Sequence, residues 1–328
     1  MNLKKKILNY FSLLLVITSC TDVPEIQNKN SDIQQAAFKK TSPEFNSDSA
    51  YFFIQKQVDF GPRVTASSAN LKCANWIVSQ FKKYGAHTIE QKAEVKHFDN
   101  PKLPIINIIA EYNPEAKKRI LICTHWDSRP YADNDSLETN RNKPILAADD
   151  GASGVGIMLE MARILNKKLP NVGVDFICFD AEDLGKSEYE NSFCLGSQYW
   201  SKNLHKPNYK AEFGILMDMV GGKNAKFVWE ETSVDYAEPV LRKVWDLAIN
   251  LGFSNWFYYY KKGGITDDHL YINELAKIPT IDIIHYSETS GTGFAPWWHT
   301  ANDNMNNIDR NTLKAVGQTL LEVIYREQ

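Results

Sequence analysis

Val174-Asp175-Phe176-Ile177-Cys178-Phe179-Asp180-Ala181-Glu182-Asp183-Leu184-Gly185 opens as an apolar run and closes on three acids within four residues. The run has the length and composition of a buried strand bounded by a turn. Carboxylates set beside a core cost several kcal/mol each unless a proton or a cation compensates them. An isolated acidic cluster is ordinarily a solvated loop, so the meaning of this stretch depends on what stands at the ends of the other strands.

Working outward, the same pattern recurs. Arg119-Ile-Leu-Ile-Cys123 runs into Thr124-His125-Trp126-Asp127, and Phe213-Gly-Ile-Leu-Met217 runs into Asp218. Ala147-Ala148-Asp149-Asp150 stands just before a glycine-rich helix start, and His299 follows the last strand in Trp297-Trp298-His299-Thr300. Branching and periodicity predict helices over 50–58, 68–84, 153–167, 237–251 and 311–325. Strands are predicted over 88–98, 104–112, 119–123, 172–179, 213–217, 255–260 and 278–284. Strands alternating with helices imply an α/β fold, a three-layer α/β/α sandwich around a twisted, mostly parallel mixed sheet. Ligands of such sheets bind outside the carboxyl ends of the strands. That is the edge where these acids and histidines converge, and Asp and His donors there suit zinc.

The N-terminus carries a different signal. Lys4-Lys5-Lys6, an apolar segment from Ile7 to Ile17 and then Thr18-Ser19-Cys20 read as an export signal over 1–19, because the apolar part is far shorter than the roughly 20 residues of a membrane span. Its ending resembles a bacterial lipobox, which implies cleavage before Cys20 and lipidation of that cysteine as a membrane anchor on the periplasmic side. Residues 20–45 are polar enough to read as a tether, and 46–328 as a single catalytic domain. With 43% hydrophobic residues, 23% charged residues and a net charge of -3, the chain has a globular core and lacks the basic surface of a nucleic-acid binder. It is expected to act as a monomer. Cys73, Cys123, Cys178 and Cys194 allow three disulfide pairings, and the sequence chooses none. Cys123 and Cys178 lie inside apolar runs and read as small buried hydrophobes.

The set His125-Trp-Asp127, Ala148-Asp-Asp150-Gly-Ala-Ser-Gly154, Phe179-Asp-Ala-Glu182-Asp183, Asp218 and Trp298-His299-Thr300 resembles the zinc-dependent aminopeptidase clan, and within it the glutaminyl-peptide cyclotransferases. The resemblance spans residues 50 to 328, with the motifs in the family's order. It implies one zinc ion per chain on Asp150, Asp183 and His299, and Glu182 as catalytic acid/base. It also implies that Asp218 and Asp267 organise the proton network and that Trp298 lines the substrate pocket. The implied substrates are peptides and proteins with an N-terminal glutamine. Two residues depart from the animal pattern: Asp183 stands in place of a second glutamate, and Asp282 in place of a histidine.

Alternatives stay open on the sequence. Asp267 also suits a helix cap near His269, and Trp298, Trp297 and Trp126 suit the core or a loop staple as well as a pocket. His125 reads either as a histidine braced by Asp127 or as a ligand to a second metal. The second option defines a rival enzyme, a two-zinc aminopeptidase using His125, Asp150, Asp183, Asp218 and His299 to activate water. A non-catalytic binding lipoprotein is the remaining alternative. Asp149 and Asp180 read as structural neighbours, and His87 and His97 as surface residues.

Overall fold

Ser47–Val58 (α1) and Ser68–Lys83 (α2) lead into the antiparallel strands His87–Val95 (β1) and Leu103–Tyr112 (β2), then Arg119–His125 (β3), Ala152–Leu165 (α3) and Gly173–Phe179 (β4). Leu195–Lys202 (α4), Phe213–Asp218 (β5), Phe227–Glu230 (β6), Glu231–Asn250 (α5) and Phe257–Lys262 (β7) follow. The chain ends with Asp268–Tyr271 (α6), Thr280–Ile284 (β8) and Arg310–Arg326 (α7). This computed structural model describes residues 38–328. The export signal, Cys20 and residues 21–37 lie outside the described residues.

The central sheet has the order β1-β2-β4-β3-β5-β8. Its β3–β4, β3–β5 and β5–β8 pairings are parallel, and β1–β2 and β2–β4 are antiparallel. This is the mostly parallel mixed sheet that the sequence predicts. Alternation along the strands explains the three layers. Ile120 and Ile122, Val174 and Phe176, and Ile215 and Met217 join one core with residues of α1, α2, α3, α5 and α7. Leu121 and Cys123, Ile177 and Phe179, and Leu216 join another with Trp200 of α4 and Ile272 beyond α6. Each such side chain contributes about 1.5–3 kcal/mol on burial, so these strands are apolar on both faces. The one acid inside β4, Asp175, is buried against Arg119 at the start of β3, with Nε 2.7 Å from Oδ2, and Tyr209 donates to the same oxygen at 2.7 Å.

Three boundaries differ from the sequence reading. Helix α5 starts ahead of the predicted 237 because Glu230 caps it, its carboxylate accepting from the Thr232 and Ser233 amides; a kink at Ala237 beside Pro239 hides the continuity. The four-residue β6 and the polar α4 escape prediction, and β7 pairs with β6 outside the main sheet. The packed chain also begins before residue 46. The amides and hydroxyls of Thr41 and Ser42 converge on the buried Glu322 carboxylate of α7, and Phe45 is buried against Gly317. Polar composition cannot reveal this, since these residues satisfy an acid more than 270 positions away.

β4 and β5 flank β3 on opposite sides, so their carboxyl ends open a crevice at the point where the chain changes direction across the sheet. Helix α3 is pressed down there by close contact on both sides. A Cβ on Gly154 would sit 2.1 Å from Thr124 Oγ1 of β3, and one on Gly156 would sit 2.5 Å from Ile54 Cγ1 of α1. Gly154→Ala is therefore expected to lift α3 from the sheet at a cost of about 1–3 kcal/mol. Thermal unfolding should show this as a midpoint lowered by roughly 2–4 °C per kcal/mol.

Candidate active site

His125 ends β3, Glu182 and Asp183 follow β4, Asp218 ends β5, and Asp150 directly precedes the start of α3. The loop after β8 brings His299, held at a left-handed φ of 55°. Asp150, Glu182, Asp183, Asp218, Asp267, Trp298 and His299 all line one cavity of about 190 Å³, so every site residue predicted in the catalytic domain reaches the same place.

Two buried aspartates set the backbone of this edge. Asp127 accepts from the amides of Glu182 at 3.1 Å and Asp183 at 3.2 Å. Asp303 accepts from the amides of Asp149 at 2.8 Å and Asp150 at 3.1 Å. Each carboxylate thus fixes two successive residues, one of them a candidate ligand. The turn at Glu182 is further shaped by Ala181 at φ 57° and by Asp180, whose carboxylate is saturated by Thr65, Asn70 and the amides of Ile106 and Ala181. Asp149 accepts from the Gly221 amide and from Trp297 Nε1. Asp180 and Asp149 are structural, as the sequence suggests.

Ligand atoms of Asp150, Asp183 and His299 lie within 4.8 Å of one another, and all three residues are buried. His299 Nε2 is 3.1 Å from Asp183 Oδ1 and 3.7 Å from Asp150 Oδ2. On its other side Nδ1 stands 3.4 Å from Asp133, which Arg129 holds through Nε at 2.8 Å and Nη2 at 2.6 Å. That is the carboxylate–histidine arrangement that leaves Nε2 free for a metal. Arg129 also donates to the Asp183 carbonyl at 3.1 Å and Oδ1 at 3.2 Å. Asp150 Oδ2 and Asp183 Oδ2 are buried without any hydrogen-bond partner. Orphaned carboxylate oxygens facing an imidazole nitrogen fit a divalent ion with N and O ligands.

His125 sits differently. Its Nε2 lies 3.0 Å from Asp150 Oδ1 and 3.1 Å from Asp218 Oδ1, and its Nδ1 lies 3.5 Å from Asp127. Burial opposes a charge on this ring, but Asp127, Asp150 and Asp218 outweigh it and hold its pKa well above the usual histidine range. The ring nitrogen is thus shared between two carboxylates.

The half-buried Glu182 reaches the cavity beside Asp267, with carboxylate oxygens of both and Cys194 Sγ within 4.8 Å of one another. Burial, then the charge of Asp183 and Asp267, raises the Glu182 pKa well above the carboxylate range even though His125 pulls it down. Burial and Asp150 likewise push Asp218 up to about 8. Asp267 takes both of its possible roles, capping α6 through the Asp268 amide and lining the cavity. Trp298 stacks on His299 with ring centroids 3.7 Å apart and packs against Phe294. Trp126 is wholly buried in the core, and Trp297 is buried beside His285, its Nε1 donating to Asp149. The substituted Asp282 is buried in β8 with both oxygens unpartnered, and burial and Asp267 push its pKa well above the ordinary range.

Sequence reasoning misses Asp303, Arg129, Asp133 and Phe294. Asp303 sits in Asn302-Asp303-Asn304, a stretch that reads as a turn, and Arg129 is a single cation whose links to the site, Asp183 and Gly185, come from another segment. His97 is a correction: it is 8% exposed rather than on the surface, because Asp99 and the Leu184 carbonyl take up its ring nitrogens. His87 is exposed as expected. Cys73, Cys123, Cys178 and Cys194 are all unpaired and buried.

The profile of peptidase family M28 matches residues 107–324. A zinc-dependent exopeptidase from Parabacteroides distasonis is 49% identical, covers 88% of this chain and 100% of its own, and superposes with a TM-score of 0.86. The glutaminyl cyclase of Bacteroides thetaiotaomicron bound to N-acetylhistamine is also 49% identical, with the same coverages and a TM-score of 0.85. Aminopeptidase YwaD of Bacillus subtilis (strain 168) is 27% identical over 230 residues, 67% of this chain. The chain spans 44% of the length of that relative. These names carry two kinds of reaction, and the site geometry must choose between them.

Asp303→Asn leaves one of two buried amides facing an NH2 group, an expected cost of about 1–3 kcal/mol. Zinc affinity, measured by competition with a chelator, should fall about 10–100-fold. His285 offers a separate check on pH. Burial lowers its pKa to about 4, so the unfolded chain binds a proton below about pH 6.5 that the folded one refuses until about pH 4. The stability present above pH 6.5 is lost across that window, about 3 kcal/mol, and denaturant titrations of His285→Gln should show a smaller acid loss.

Proposed function

This chain belongs to peptidase family M28, and we propose that it is a zinc-dependent glutaminyl cyclase, converting the N-terminal glutamine of peptides and proteins to pyroglutamate with release of ammonia. The observation that carries the reading is the division of the acid cluster. Asp150 and Asp183 present orphaned buried oxygens to His299, whereas in the neighbouring cluster of His125, Asp150 and Asp218, which also has the spacing of a metal site, the Asp150 and Asp218 oxygens nearest His125 are engaged with its Nε2. A single ion on Asp150, Asp183 and His299 fits these contacts. The additional carboxyl of Asp267, close to Glu182, is of use to a reaction that moves protons between two nitrogens and is not required for peptide hydrolysis.

Cyclisation joins the substrate's own α-amine to its own γ-carbonyl carbon. One C–N bond forms, the bond to the side-chain nitrogen breaks, ammonia leaves, and no water is consumed. Nucleophile and electrophile are tethered already, so the chain's task is to hold the glutamine folded and to move a proton. A cavity of about 190 Å³ lies below the range of roughly 300–1,000 Å³ typical of larger ligands and suits a single terminal residue, with Trp298 and Phe294 as its apolar wall. Zinc on Asp150, Asp183 and His299 supplies a Lewis acid for the γ-carbonyl oxygen. Glu182, with its raised pKa, accepts a proton from the amine and returns it to the departing nitrogen. Asp267 shares that proton across the cluster, and Asp218 fixes His125. We further propose that the chain acts as a monomer and that it is an exported lipoprotein held at the periplasmic side through Cys20; the Lys4–Lys6 start and the Ile17–Cys20 ending support the export and the anchor.

Incubation with an N-terminal glutamine peptide should give a product lighter by the mass of ammonia, seen by mass spectrometry, and metal analysis should give one zinc per chain. Two zinc ions per chain with free amino acid released from ordinary peptides would establish the aminopeptidase instead. Glu182→Gln should lower kcat by about 10²–10⁴-fold with zinc retained, whereas Asp183→Asn should lose the metal.

A further inference from the structure

The carboxyl that moves the proton has few hydrogen bonds of its own. Among the described residues one side chain donates to Glu182: Cys194, whose Sγ lies 3.2 Å from Oε1. The two residues are also locked through the backbone, with the Cys194 amide donating to the Glu182 carbonyl at 2.9 Å and the Leu195 amide to the Ala181 carbonyl at 3.0 Å. Cys194 is wholly buried and sits at a left-handed φ of 57° at the start of α4, where glycine or asparagine is less strained. A β-carbon and a thiol are kept there against the backbone's preference. The other three cysteines belong to apolar surroundings, Cys73 and Cys178 in one core and Cys123 in the other. Among the four, Cys194 is the one whose sulfur contacts an acid, clustering with Glu182 and Asp267.

We propose that Cys194 is a positioning residue for the cyclisation: its S–H donates to Oε1 and holds the Glu182 carboxyl in the orientation from which it exchanges protons with the substrate nitrogens. This rests on the cyclase reading above. Burial and the adjacent acids keep the sulfur protonated, which leaves it a donor. A thiol is a weak donor, so it orients the carboxyl without favouring its ionised form as strongly as a charged donor would. A group that must both take and return a proton is served by such a partner.

The test compares Cys194→Ala, Cys194→Gly and Cys194→Ser, each checked for zinc content and melting temperature, with kcat and KM measured by ammonia release from an N-terminal glutamine peptide. Glycine relieves the left-handed backbone and so covers the case in which alanine fails to fold. Loss of the donor in Ala and Gly should lower kcat about tenfold or more with KM changed less than about twofold, since small misplacements of a catalytic group are costly. Serine, which restores a donor, should recover kcat to within about threefold of wild type. Ala or Gly variants, folded and zinc-loaded, that turn over at the wild-type rate would overturn the assignment alone, as would a serine variant no better than alanine. A wild-type protein releasing no ammonia from the peptide would overturn the cyclase reading and this assignment with it.

Discussion

An excess of buried carboxyl groups at one sheet edge is the constraint that the rest of the molecule answers to. Left alone, each would destabilise the fold by several kcal/mol, yet β3, β4, β5 and β8 all deliver acids there. The structure resolves the excess in four distinct ways. Asp127, Asp180 and Asp303 are saturated by backbone amides or neutral donors. Asp218 faces the His125 imidazole. Asp282 is buried where desolvation pushes its pKa well above the carboxylate range. Asp150 and Asp183 each keep a buried oxygen with no hydrogen-bond partner, and unlike Asp268 and Asp282, whose oxygens are also unpartnered, they cluster with His299. The metal site is marked by that combination, unpartnered carboxylate oxygens beside an imidazole nitrogen, rather than by the acids alone.

Much of this was legible in the sequence because it depends on local pattern. Apolar runs buried on both faces name their own strands, and a parallel sheet puts all their carboxyl ends on one edge, so Asp150, Glu182, Asp183, Asp218 and His299 could be brought together before any coordinates. What stayed hidden depends on contacts distant in sequence. Asp303 looks like a turn residue and is a clamp on the Asp149 and Asp150 amides, 154 and 153 positions away. Thr41 and Ser42 look like tether and bind Glu322. Cys194 looks like one more buried thiol and touches Glu182. Side chains that serve a remote partner leave no periodicity to read, and helix α5 was shortened in the reading for a related reason, its cap being a glutamate that belongs to the preceding strand.

The same constraint bears on the two reactions found among this chain's relatives. His125, Asp150 and Asp218 have the spacing of a second metal site, and in this structure the ring nitrogen is shared between Asp150 Oδ1 and Asp218 Oδ1 while Asp127 approaches from behind. The ligand types of the hydrolytic enzyme are all present, and what the structure adds is how they are hydrogen-bonded here. Ligand identity read from sequence could not show this, because it turns on which atoms are already engaged.

Asp183 then takes on a meaning that its substitution alone did not suggest. An aspartate where the animal enzymes carry glutamate shortens the ligand by one methylene and removes one rotatable bond, so less side-chain entropy is lost on fixing it. The shorter arm is held at three points: its amide by Asp127 at 3.2 Å, its carbonyl by Arg129 at 3.1 Å, and its Oδ1 by the same guanidinium at 3.2 Å. Arg129 in turn grips Asp133, which stands behind His299. Two of the three proposed ligands are therefore positioned by one buried cation, and the third, Asp150, by Asp303 from the segment that carries His299. A ligand that cannot reach must be placed, and the rigidity that compensates for the missing methylene also fixes the neighbouring Glu182, whose amide is held by the same Asp127 carboxylate.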